Sequence, residues 1–288
     1  MVAARCAALL LGMMLGRAGA EKEAVDSLLV ELVGEDRVEQ AMEQGLLDQL
    51  VQAAGQRQAA REGLLAEMGS LLELPAAESG KRFALGDVHG FLHVYEERED
   101  GRWAEIWVSE YLEGRIGGLA LADADGDKRE ELIIYTEQGR FFYLDPATYQ
   151  ATWSNPPHEY QRLNAMLVCN LDEDEALELV FCADGRLVIY DGRDHFEEWR
   201  STQADLGSTQ ILVGDVDGDG AEEIVLNDGY VFDARFRDLE WQSPESFGER
   251  LGLRDVDEDG IPEVIGEFQG RFLRIFDIDL RREKSARH

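Results

Sequence analysis

Four short segments carry oxygen-bearing side chains at one fixed spacing. In Asp215-Val216-Asp217-Gly218-Asp219-Gly220-Ala221-Glu222-Glu223, carboxylates stand at positions one, three, five and nine, and the apolar run Ile224-Val225-Leu226 follows at once. Asp123, Asp125, Asp127 and Glu131 repeat the spacing, as do Asn170, Asp172, Asp174 and Glu178, and then Asp255, Asp257, Asp259 and Glu263. Hard cations such as Ca²⁺ take about six to eight oxygen ligands at roughly 2.3–2.6 Å, and a tight loop with alternate carboxylates supplies most of them. A single acidic turn is more often a solvated loop than a metal site, but four in register favour Ca²⁺. An EF-hand does not fit: it lies between helices and carries Glu at position twelve, which after Asp215 is Leu226.

Enzyme chemistry has weaker support. His89 and His93 are four apart on an apparent strand, where they would share a face, and surface or packing histidines are a better reading than a catalytic pair. No Gly-x-Ser-x-Gly, His-Glu-x-x-His, phosphate loop or dinucleotide fingerprint occurs. Acid pairs for glycoside cleavage stay open in a chain so rich in Asp and Glu.

The elements that must hold these loops repeat with them. A glycine follows one apolar run and opens the next at Gly90, Gly139, Gly185, Gly229 and Gly270, at spacings of 49, 46, 44 and 41 residues. Each marks a hairpin turn entering a strand, and a period near 45 with several strands per unit is a repeat architecture. Trp153, Trp199 and Trp241 each lie eight residues after the Asp that closes a strand (Asp145, Asp191, Asp233), and Trp107 is the looser equivalent in the first unit. One large aromatic per repeat suits a packing layer between adjacent sheets.

The 288 residues carry a formal net charge of −32 with 44% hydrophobic content, enough for a folded core. Such acidity repels nucleic acid and anionic membranes and suits multivalent cations or basic partners; a high-salt habitat would give the same composition. Residues 1–20 run from Arg5 through an apolar stretch to Ala18-Gly19-Ala20, the pattern of a secretory signal peptide. The expectation is therefore a secreted, periplasmic or cell-surface protein with no transmembrane span in the mature chain. Residues 21–75 show helical periodicity (Leu28, Leu29, Leu32, Val33; Leu46, Leu47, Leu50, Val51; Leu64, Leu65, Met68, Leu71, Leu72), read as a helical hairpin or as a docking and assembly element. Pro75 to Gly80 looks like a linker. Export leaves Cys169 and Cys182, expected on opposite faces of paired strands, with Cys169 facing about residue 179, and hence free and buried.

These residues resemble the FG-GAP/VCBS repeat family, the calcium-loop β-propeller repeats also found in integrin α-chain heads. The resemblance rests on the D-x-D-x-D-x-x-x-E loop, the Glu-Ile-Val-type strand after it and the Gly-led hairpin, and it covers roughly residues 81–280. It implies that each loop joins the first two strands of a four-stranded blade. It also implies that side chains at positions one, three, five and nine bind the ion together with the main-chain oxygen at position seven, here Arg129, Ala176, Ala221 and Ile261. Up to four structural Ca²⁺ follow, with the glycine-free Asn170 loop weakest. The expected fold is mainly β: a five-bladed β-propeller over residues 76–288, preceded by the N-terminal α-helical segment. The first unit has no acidic loop and no obvious innermost strand, and the last has no obvious outer one. A strand at Leu71 to Leu74 is expected to complete the last sheet and close the ring; an open or partnered propeller is the alternative. The implied function is a non-catalytic, calcium-binding adhesion or assembly module for an unknown protein or glycan, with a polysaccharide lyase or hydrolase as the competing reading.

Overall fold

Short apolar runs separated by turn residues become twenty strands in the computed structural model, which describes residues 71–77, 80–172 and 175–285. The signal segment and the helical periodicity up to residue 70 lie outside the described residues. The chain divides into two compact units, Met1–Leu119 and Ala120–His288. Among the described residues there are five four-stranded antiparallel sheets, each a simple up-and-down meander, and no helix long and apolar enough to cross a membrane.

In the first unit β1 (Leu71–Ala77), β2 (Gly80–Gly86), β3 (Leu92–Glu97) and β4 (Trp103–Val108) pair in chain order. This corrects two expectations. Leu71 to Leu74 does not join the last sheet: Leu71 pairs with Leu85 and Leu74 with Arg82, so β1 is the first strand of the first sheet. Nor are residues 71–75 helical, or Pro75–Ala77 a linker, because β1 runs through them. The buried Leu71 and Leu74 are three apart, a spacing that mimics a helix face. The register breaks between Leu74 and Ala77, where Pro75 has no N–H to donate, and β1 lies at the sheet's edge, where proline is tolerated.

β5 (Ile116–Ala122) begins in the first unit and opens the second sheet, continued by β6 (Glu131–Thr136), β7 (Phe141–Leu144) and β8 (Ala151–Ser154). The third sheet holds β9 (Leu163–Cys169), β10 (Glu178–Ala183), β11 (Arg186–Asp191) and β12 (Glu197–Arg200). The fourth holds β13 (Ile211–Gly214), β14 (Glu223–Leu226), β15 (Tyr230–Asp233) and β16 (Leu239–Gln242). The fifth holds β17 (Arg250–Arg254), β18 (Glu263–Phe268), β19 (Phe272–Asp277) and β20 (Arg282–Glu283). The outer strand that the last sheet was expected to lack is thus β20, held to β19 by Phe276 opposite Glu283 and Asp277 opposite Arg282.

Every residue of β7, β10 and β14 is buried, because within the second unit successive sheets cover one another's faces. Ile189 and Leu187 of the third sheet share one apolar cluster with Ile224 and Phe232 of the fourth. Val225 and Val231 of the fourth share another with Val264 and Phe276 of the fifth. The phased tryptophans sit in one register: Trp107, Trp153, Trp199 and Trp241 face Val94, Tyr143, Ile189 and Val231, and a register shift follows each pair. Trp153 reaches Tyr190 of the next sheet at 6.1 Å between ring centres, and Trp199 reaches Phe232 at 6.1 Å. Trp153, Trp199 and Trp241 are half-buried seals between sheets rather than deep core.

The cysteines are free, as expected, but for a different reason. Cys169 pairs with Glu178, one residue from the expected partner, so Cys169 and Cys182 share a face and one apolar cluster. They lie four positions apart along the strands, about 13 Å at ~3.3 Å per residue, too far for a disulfide.

Candidate metal centres

Each acidic loop joins the first strand of a sheet to the second: Asp123–Glu131 between β5 and β6, Asn170–Glu178 between β9 and β10, Asp215–Glu223 between β13 and β14, and Asp255–Glu263 between β17 and β18. Position nine is in every case the first residue of the second strand, so ladder pairing fixes its backbone and aims its side chain back into the loop. One carboxylate oxygen of that Glu accepts a hydrogen bond from the amide at position two. Glu131 takes it from Ala124 at 3.0 Å, Glu178 from Leu171 at 2.5 Å, Glu223 from Val216 at 2.8 Å and Glu263 from Val256 at 2.9 Å. The bond ties that side chain to the start of its loop.

The other positions are held by bonds within the loop. The amide at position seven donates to the position-five carboxylate in three loops: Arg129 to Asp127 at 2.9 Å, Ala221 to Asp219 at 2.8 Å and Ile261 to Asp259 at 2.9 Å. Carboxylate oxygens of Asp123, Asp125 and Asp127 lie within 4.8 Å of one another, as do those of Asp215, Asp217 and Glu223, and those of Asp255, Asp257 and Asp259. Two ligands on opposite sides of a Ca²⁺ are about 4.8 Å apart, so these groupings have the right span. The structure brings together three of the four expected side chains in each. In the Asn170 loop the described residues show a different arrangement, in which the Asn170 amide donates to the Ala176 carbonyl at 3.4 Å. Asp174 there lies outside the described residues.

Buried polar atoms test whether a cation fits. Glu223 is 0% exposed, and its Oε1 has no hydrogen-bond partner; Asp123 Oδ1 is likewise buried without one. A buried carboxylate oxygen without a partner is costly, and a cation is the natural way to satisfy it. Burial, reinforced by Asp217, Glu240 and Asp219, pushes the Glu223 carboxyl up to about 8. Burial, with Asp125, Asp127 and Asp123 adding, pushes Glu131 up to about 7. The residues of the Asp123 and Asp215 loops therefore fit a hard divalent ion. In the Asp255 loop a basic side chain, Lys284, already lies against Asp257 and, at 2.8 Å, against Glu263 Oε1. No local pattern pointed to Lys284, because it lies 21 residues beyond Glu263 and comes back only through β19 and β20.

The aspartates eight residues before the phased tryptophans have a structural role of their own. Asp145, Asp191, Asp233 and Asp277 each close the third strand and accept a backbone amide from the following turn, from Ala147, Asp194, Phe236 and Leu280 respectively. They cap the turns to β8, β12, β16 and β20.

His89 and His93 do not lie on one strand. His89 is in the β2–β3 turn with its amide on Asp87 Oδ1 at 2.9 Å, whereas His93 is on β3 with Nδ1 at 2.9 Å from Glu105 and Nε2 at 3.4 Å from Asp87. Burial opposes the charge on His93, but the two carboxylates outweigh it and raise its pKa to about 9. The imidazolium is a structural counter-ion within the first sheet.

No protein-family model matches the chain, and no curated protein matches it. Solved structures do. The chain is similar to BBS1N in complex with ARL6DN, soaked with lead, with a TM-score of 0.54 and 13% identity over 77% of this chain and 68% of that one. The fold is β-propeller-like. It is also similar to Sqt1 of Saccharomyces cerevisiae, with a TM-score of 0.54 and 14% identity over 77% of this chain and 61% of that one. A third likeness is to the V. cholerae biofilm matrix protein Bap1, with a TM-score of 0.51 and 14% identity over 74% of this chain and 38% of that one. At such identities the likeness concerns the fold.

Proposed function

We propose that this chain is an exported, non-catalytic β-propeller of FG-GAP/VCBS type, stabilised by Ca²⁺ in its strand-to-strand loops, that presents its surface to a protein or glycan partner. The observation that carries the metal part is the Asp215 loop. A fully buried glutamate there has one oxygen fixed by a backbone amide and the other without a hydrogen-bond partner, and its carboxylate groups within 4.8 Å with those of Asp215 and Asp217. A cation bound there ties β13 to β14 at the start of their hairpin, so its binding energy adds to folding energy.

The binding-module part is supported by the fold and by what its neighbours are. BBS1N was solved in complex with ARL6DN, and Bap1 is a biofilm matrix protein. Export is supported by the signal-like pattern of residues 1–20. Calorimetric titration of chelator-stripped protein with Ca²⁺ tests the metal reading, and a protein that binds none ends it. A pull-down from an envelope extract, run beside a polysaccharide-degradation screen with and without Ca²⁺, tests the rest. Degradation without capture of a partner would favour the lyase or hydrolase alternative.

A further inference from the structure

The third and fourth acidic loops are built alike, yet they differ in one atom's surroundings. Glu223 and Glu263 both occupy position nine, are 0% and 4% exposed, and both hold the position-two amide through Oε2, at 2.8 and 2.9 Å. Glu223 Oε1 has no partner, whereas Glu263 Oε1 lies 2.8 Å from Lys284 Nζ. The same ammonium also lies against Asp257 Oδ2, at position three, and is 3.7 Å from Asp277 Oδ2. Its three N–H donors thus face three carboxylates, of which Glu263 and Asp277 are each only 5% exposed at the side chain.

We propose that Lys284 is a tethered cation that takes the ion's place in the Asp255 loop, so that this loop is neutralised from within the chain and binds no divalent ion while β20 is docked. An ammonium 2.8 Å from a carboxylate oxygen occupies the volume that a Ca²⁺ at about 2.3–2.6 Å would need. The tether is short and well held. Lys284 directly follows β20, its own amide donates to the Ile275 carbonyl at 2.7 Å, and β20 is fixed by Arg274 to Glu283 at 2.6 Å and by Arg282 to Asp277 at 3.2 Å. A two-residue strand is a weak element by itself, and the loop that would otherwise need a metal instead anchors this strand and ends the last sheet.

The inference rests on the calcium reading only for the ions expected in the other loops, and the test separates the two. Ca²⁺ bound per chain would be counted by calorimetry for wild type, K284Q and K284R, and each would be melted in chelator. The expected result is one more Ca²⁺ bound by K284Q than by wild type, lost again in K284Q/D257N, with K284R matching wild type. Equal, non-zero counts in wild type and K284Q would overturn the inference but leave the calcium reading standing. If no variant binds Ca²⁺, the calcium reading falls by itself. The melts then decide the inference: K284Q melting below K284R supports a tethered cation, and equal melts overturn it. Should K284Q not fold, reductive methylation of wild type replaces it. Lys284 is expected to react several-fold more slowly than the exposed Lys128, and equal rates would overturn the assignment.

Discussion

Single residues decide whether these loops are turns or ion sites. Glu223 carries a buried oxygen that no group among the described residues satisfies. In saturating Ca²⁺, Glu223→Gln is expected to melt below wild type, by the stability that one charged contact contributes, about 1.5–3 kcal/mol. In chelator the gap should close, because the amide removes a carboxylate that burial already penalises. An E223Q deficit of equal size in both conditions would mark a purely structural role. His93 offers an independent test in the first unit. Its pKa is raised from 6.5 to about 9, so its stabilising charge is fully present below pH 6.5 and is lost as pH rises through 9. Imidazole NMR should place its midpoint near 9 and show the first sheet loosening across that window; a midpoint near 6.5 would contradict the ion triad with Asp87 and Glu105. The carboxylate spacing was legible in the sequence because the loop side chains are close neighbours along the chain. Lys284 was not, because an ammonium can come from any segment that folds back.

At the level of elements, hairpin chemistry accounts for most of the periodic pattern. Gly139 has a φ of 84°, and a Cβ there would stand 2.3 Å from the Tyr160 carbonyl oxygen. Gly101 has a φ of 78° with open space around it. Gly101→Ala should therefore cost only the conformational term, about 1–3 kcal/mol, and Gly139→Ala clearly more, as read from urea midpoints. Equal costs would mean that the backbone around Tyr160 yields freely. Register governs the cysteines. Burial pushes the Cys169 thiol up to about 12 and Cys182 higher still, and both sit in the same apolar cluster. Neither should react with a thiol reagent until the protein unfolds, and mild oxidation should not join them; a disulfide formed in the native state would contradict the register of β9 against β10.

For the whole molecule, charge and repetition combine. The expected ligand side chains hold fifteen carboxylates on a chain of net charge −32, so ion binding relieves local repulsion at every loop that takes one. A site held at about a hundred times its dissociation constant contributes about 2.7 kcal/mol. For a folded region of this size that corresponds to a melting shift of about 5–10 °C per site. Chelator should lower the melting temperature by at least that amount, and Mg²⁺ should restore it poorly, since it dehydrates reluctantly and demands a tighter octahedron. An unchanged melt in chelator would remove the metals from the account of stability.

The sequence by itself determined the repeat near 45 residues, the strand-turn-strand punctuation at Gly139 and its counterparts, and the clustered carboxylates of the loops at Asp123, Asp215 and Asp255. All of these depend on backbone sterics and on side chains within nine residues of one another. Only the tertiary structure decided which strand each edge would pair with. It gave Leu71–Ala77 to the first sheet and Arg282–Glu283 to the last, placed Cys169 opposite Glu178, and carried Lys284 into the Asp255 loop. A shift of one residue in pairing turns a side chain to the other face and leaves the local pattern unchanged. Such outcomes are fixed by contacts between segments distant along the chain, which spacing along a single strand does not encode.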